Sequence, residues 1–119
     1  MDFLLLERDD CLSTTLSTFF GILSIACHRV KTVEDALFYL QNYKPDCVIV
    51  DITLDDFYGA SLLRECHKIY DGKMPIIVLS AVKDVEKIVG DLPIKCLLKK
   101  PFELEALEQQ VLSLPKMTL

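Results

Sequence analysis

Apolar residues in this chain fall into short, nearly continuous runs: Phe3-Leu4-Leu5-Leu6, Cys47-Val48-Ile49-Val50, Ile76-Ile77-Val78-Leu79 and Cys96-Leu97-Leu98. Runs that are apolar on both faces suit strands of a parallel sheet with helices packed on either side. The stretch 24–30 is weaker, mixes in His28 and Arg29, and reads as an edge strand. Between the runs the spacing turns helical. Leu12, Leu16, Phe19, Phe20 and Leu23 share one apolar face. Thr32 is an N-cap for a helix from residue 33 to about 41, with Ala36, Leu37 and Leu40 inward and Pro45 beyond its end. Further helices are predicted over 59–70, 84–89 and 103–114. Gly90 and Pro93 cut the second of these short, and the last carries acidic residues in its first turn, where the helix dipole favours them. Five strands alternating with five helices predict a doubly wound α/β sheet of flavodoxin-like order 2-1-3-4-5, because right-handed crossovers leave few other topologies.

At 119 residues the chain has room for one domain, read as 1–119 with residues 115–119 as the start of a linker. Its 51% hydrophobic content, with only 4 Gly and 5 Pro, excludes a disordered or low-complexity chain. The net charge of -5 repels phosphate backbones and anionic lipid, so neither direct nucleic-acid binding nor membrane association is expected. The uncharged stretch from Cys11 to Cys27 is too short for a span and holds six Ser or Thr, and Met1-Asp2-Phe3 lacks the basic region of a secretory signal. Five scattered cysteines form no paired metal-ligand motif; they are expected to be buried thiols of a cytoplasmic protein.

In such a sheet the binding site lies at the carboxyl ends of the strands. The residues there are polar: Glu7, Asp51, Ser80 and Lys100, the last just before Pro101. Two acids, a hydroxyl and an ammonium converging on one edge make a site able to accept a phosphoryl group and hold it. Four motifs sit on these strand ends in the order Leu6-Glu7-Arg8-Asp9, Pro45-Asp46-Cys47-Val48-Ile49-Val50-Asp51 with Gly59 eight residues on, Pro75-Ile76-Ile77-Val78-Leu79-Ser80-Ala81, and Leu98-Lys99-Lys100-Pro101-Phe102. Together they resemble the response-regulator receiver domain of two-component signalling over essentially the whole chain. The resemblance implies Asp51 as phosphoacceptor, with Ser80 and Lys100 contacting the phosphoryl oxygens. It also implies an acidic pocket of Glu7, Asp51 and Thr53 for Mg²⁺, a cis bond before Pro101 and a switch position at Leu97. The implied partners are a histidine kinase or phosphotransfer protein upstream, a protein or output domain downstream, and a second copy of the domain in a homodimer. Catalysis beyond self-phosphorylation from a phosphodonor is not implied.

The chain departs from that family in ways that bear on the metal. Receivers carry two adjacent acids after the first strand; here the pair reads Glu7-Arg8. Sliding the register to Asp9-Asp10 would turn Thr14 and Thr18 inward in place of Leu12, Leu16 and Phe19, and so fails on burial. Arg8 is therefore expected at or near the metal position as a metal-replacing cation, bringing the local charge from about -2 to about zero, so Mg²⁺ binding is predicted weak or absent. The alternative turns Arg8 outward and lets Asp9 lean in. Leu97 in place of the usual aromatic, Asp55 where proline is common, and a shortened segment between Ser80 and Lys100 are further departures.

A competing function is a degenerate receiver, a protein-interaction module that works without phosphate. A hydrolase similar to the haloacid-dehalogenase phosphatases would need an acid where Thr53 stands, and a flavin site would need a Ser/Thr/Gly loop in place of Glu7-Arg8-Asp9-Asp10.

Overall fold

A computed structural model describes residues 1–52 and 57–115. The elements alternate strictly: β1 (Asp2–Leu6), α1 (Asp10–Ile22), β2 (Ala26–Val30), α2 (Val33–Asn42), β3 (Cys47–Ile52), α3 (Phe57–Tyr70), β4 (Ile76–Ser80), α4 (Val85–Val89), β5 (Cys96–Lys99) and α5 (Leu104–Leu112). All strand pairs are parallel and the order is β2-β1-β3-β4-β5, the flavodoxin-like arrangement expected.

The double-sided apolar runs are explained by two cores, one on each face of the sheet. Leu4, Leu6, Val48, Val50, Ile52, Ile76 and Val78 face α2, α3 and α4, where Ala36, Leu40, Leu62, Leu63, Cys66, Val85 and Val89 cover them. Phe3, Leu5, Cys47, Ile49, Ile77 and Leu79 face α1 and α5 and meet Leu16, Phe20, Leu107 and Val111. Alternation along each strand divides the side chains between the cores.

Helix α1 buries Ser13, Leu16 and Phe20, with Leu12 and Phe19 half-buried at the flanks, while Thr14 and Thr18 are exposed. The register argued from the sequence therefore holds. The helix starts earlier than its apolar spacing, because the Asp9 carboxylate accepts the Leu12 N–H (3.1 Å) as N-cap. Thr32 caps α2 in the same way, accepting from the Asp35 N–H (3.0 Å). The Tyr70 hydroxyl lies 3.0 Å from both the Leu40 and the Tyr43 carbonyl oxygens, which ties the end of α3 to the end of α2. Helix α5 stops at Leu112, short of the predicted 114.

The cysteines differ from the expectation of uniform burial. Cys47 and Cys66 are buried and burial pushes their thiols up to about 12 and about 11, but Cys27 and Cys96 are half-buried and Cys11 is exposed on the outer side of α1. No helix among the described residues is long and apolar enough to cross a membrane.

Candidate functional site

Register brings the acidic residues together. Leu5 pairs with Ile49 and Leu6 with Val50, so Glu7 and Asp51 each follow the last of these pairs by one residue. Both continue the alternation of residues facing α1 and α5, as does Lys100, two residues after Leu98. The Lys100–Pro101 bond is cis, as expected. Both acids are buried, Glu7 at 2% and Asp51 at 5% exposure.

The Lys100 ammonium donates to Asp51 Oδ2 in a largely desolvated ion pair. Asp51 Oδ1 has no hydrogen-bond partner among the described residues. Glu7 repeats this division: Oε1 accepts the Asp9 N–H (3.0 Å), and Oε2 is buried without a partner. Burial pushes the Glu7 carboxyl up to about 7, the adjacent Asp51 carboxyl adds to the rise, and the Asp9 N–H and the Lys100 charge oppose it.

Ser80 continues the opposite alternation, that of Ile76 and Val78. Its hydroxyl donates to the Ile52 carbonyl (2.7 Å) and accepts the Val82 N–H (3.0 Å), and the residue is fully buried. Leu97 is half-buried against the same α2/α3/α4 core.

Arg8, expected at the metal position, is exposed, and its Nε donates to the Lys31 carbonyl (3.4 Å) just before α2. The charges that bear on Glu7 are those of Asp51 and Lys100. Asp9, weighed as a replacement ligand, is exposed and engaged in capping α1. Thr53 and Asp55 lie outside the described residues. One residue was missed by the sequence reading: Arg29 of β2 donates to the backbone carbonyls of Glu7 (2.7 Å) and Arg8 (3.3 Å).

Two orphaned buried carboxylate oxygens, one from each of two adjacent strands, are hard anionic donors of the kind Mg²⁺ accepts while keeping several waters. The residues therefore fit a hydrated Mg²⁺. No group of three or more His, Cys, Asp or Glu among the described residues is placed to hold a metal by itself.

The family model for the response regulator receiver domain matches residues 3–112. The chain is 34% identical over 109 residues to the transcriptional regulatory protein PhoP of Escherichia coli (strain K12), covering 76% of this chain and 48% of PhoP. It is 28% identical over 121 residues to the regulatory protein AtoC of the same organism, covering 96% of this chain and 26% of AtoC. The chain thus spans between a quarter and a half of these curated relatives. In fold it matches the signal receiver domain of a signal transduction histidine kinase from Syntrophus aciditrophicus, with TM-score 0.84 and 20% identity, covering 97% of this chain and 89% of that one. The receiver domain of sensor histidine kinase PA1611 from Pseudomonas aeruginosa PAO1, solved with magnesium coordinated in its active-site cleft, matches with TM-score 0.78 and 19% identity, covering 95% of each chain.

Proposed function

The chain belongs to the response-regulator receiver family, and we propose that Asp51 is its phosphoacceptor, taking a phosphoryl group from a histidine kinase or phosphotransfer protein in the cytoplasm to switch an output. The observation that carries this reading is the division of labour within one buried carboxylate: Lys100 holds Oδ2, and Oδ1 is left without a partner.

The Asp51 carboxylate is the nucleophile. It attacks the phosphorus of a phosphohistidine, forming a P–O bond as the P–N bond breaks and the imidazole leaves with a proton. The acyl phosphate brings roughly two negative charges into a buried pocket, and Lys100 is the described cation in place to meet them. Ser80 supplies a hydroxyl once it gives up the Ile52 carbonyl, a neutral hydrogen bond, for a stronger one to a charged phosphoryl oxygen. Bound Mg²⁺, held by Glu7 and Asp51 with water, would neutralise phosphoryl charge. With Asp9 committed to its cap and no acid at position 8, the metal is held weakly, and a Glu7 carboxyl pushed up to about 7 weakens it further at neutral pH.

Acetyl phosphate with Mg²⁺ tests the reading: a single base-labile, hydroxylamine-sensitive phosphoryl group is expected on the wild type and none on Asp51→Asn. Labelling that persists in Asp51→Asn would move the acceptor elsewhere.

A further inference from the structure

We propose that Arg29 is a positioning residue for the phosphoacceptor site, an inference that rests on the reading of Asp51 above. The turn from β1 into α1 has a demanding task. It must send the Glu7 side chain into the protein while Arg8, Asp9 and Asp10 stay exposed. Its sequence has neither Gly nor Pro, and its local bonds are the Asp9 cap on α1 and the Asp9 N–H to Glu7 Oε1.

The constraint comes from the neighbouring strand. Arg29 lies level with Leu5, and Cys27 before it packs on the α1/α5 core, which puts Arg29 on the side of the sheet where α1 begins. Its Nε donates to the Glu7 carbonyl (2.7 Å), and its Nη2 donates to the Arg8 carbonyl (3.3 Å) and to Asp10 Oδ1 (2.7 Å). One rigid guanidinium thus spans the turn, fixing two consecutive peptide planes and holding the first residue of α1. Those planes set where the Glu7 side chain departs, and two more bonds complete the grip: the Glu7 N–H donates to the Val30 carbonyl (3.1 Å), and the Asp9 N–H donates to Glu7 Oε1 (3.0 Å). A lysine has the charge but lacks the planar fork that reaches three acceptors in fixed directions. Arg29 therefore does for Glu7 what outer partners do for metal-site ligands, presenting Oε2 toward Asp51 without touching substrate or metal itself.

Two readouts test this on the whole chain: amide exchange at Asp9, which reports the Glu7 Oε1 bond without metal or phosphodonor, and the Mg²⁺ concentration for half-maximal acetyl phosphate labelling of Asp51. Arg29→Met is expected to speed Asp9 exchange at least about tenfold and to raise the half-maximal Mg²⁺ concentration roughly ten- to a hundredfold. Labelling at saturating Mg²⁺ and exchange in β3 should stay near wild type, a split that general destabilisation does not produce. Asp10→Ala keeps both carbonyl bonds and is expected to leave both readouts unchanged, whereas Arg29→Lys is expected not to rescue; the lysine variant also stands in if Arg29→Met fails to fold. Wild-type Asp9 exchange and Mg²⁺ dependence in either folded Arg29 variant overturn the proposal. Absence of Asp51 labelling in the wild type at every Mg²⁺ concentration defeats the phosphoacceptor reading instead, and Asp9 exchange still decides the role of Arg29.

Discussion

The two sides of the site are built to different standards of rigidity. Glu7 follows β1 and Asp51 lies within β3, strands paired on both edges whose apolar residues are at most 2% exposed. Arg29, Val30 and Asp9 pin the connecting turn. Lys100 instead follows β5, four residues long, paired only to β4 and half-buried along most of its length. The helix leading to it, α4, has five residues and an N-terminal Asp84 in the left-handed region (φ 60°) with no side-chain cap bond. The only described ion pair joining α4 to β5, Lys99 to Glu86, is exposed. Glu7 and Asp51 thus sit on the fixed half and Lys100 on the soft half. A receiver needs that division, since the group that receives the phosphoryl must hold still while another part of the fold moves.

Core truncation should reveal the contrast most strongly. Phe20, fully buried and edge-on to Phe3 with ring centroids 5.2 Å apart, underlies the rigid half. Phe20→Ala is expected to cost about 3–5 kcal/mol in denaturant unfolding, against about 1 kcal/mol for Leu97→Ala, which removes a half-buried side chain. Equal losses would mean that β5 is as firmly packed as β1.

A smaller effect concerns the strain built into the rigid half. The Glu7 carboxyl is raised from its ordinary 4.5 to about 7, so the folded state holds this proton more tightly than the unfolded chain does. The resulting stabilisation is fully present below about pH 4.5 and is lost as pH rises through about 7. The loss is worth roughly 3 kcal/mol at most in metal-free buffer. Glu7→Gln should flatten the stability curve across that window, and a curve unchanged by the substitution would place the burial cost elsewhere. The smallest effect belongs to Glu86→Gln: its ion pair is exposed and screened, so no shift in the unfolding midpoint is expected at physiological salt. A clear shift would show that α4 and β5 are latched after all.

Much of this was legible in the sequence, for identifiable reasons. Four of the five strands are runs that water would penalise on either face, and Leu16 against Thr14 and Thr18 settles the register of α1 without a structure. Asp9 could have been read as a cap from its place before the apolar spacing; its resemblance to a metal acid competed with that signal. The direction of Arg8 was not legible, because a long exposed side chain has several partners within reach and sequence spacing does not choose among them. Arg29 was invisible for a related reason: its acceptors are backbone carbonyls two strand-end residues away in space but more than twenty in sequence, and carbonyls leave no mark on composition.

The placement of Ser80 on the face opposite Asp51 has a consequence for how a chemical event becomes a mechanical one. The sheet is a partition between two separately packed compartments, and the hydroxyl sits in the wall. Drawn toward the phosphoryl group, it would leave a gap of about one oxygen atom on the α3/α4 side, too small to admit water and therefore unfilled. Leu97 and Val85 belong to that compartment, in the half of the molecule least able to resist being pulled inward. On the proposed reading the signal that crosses the sheet would be a vacancy, with its sign fixed before any partner arrives: the far side would contract.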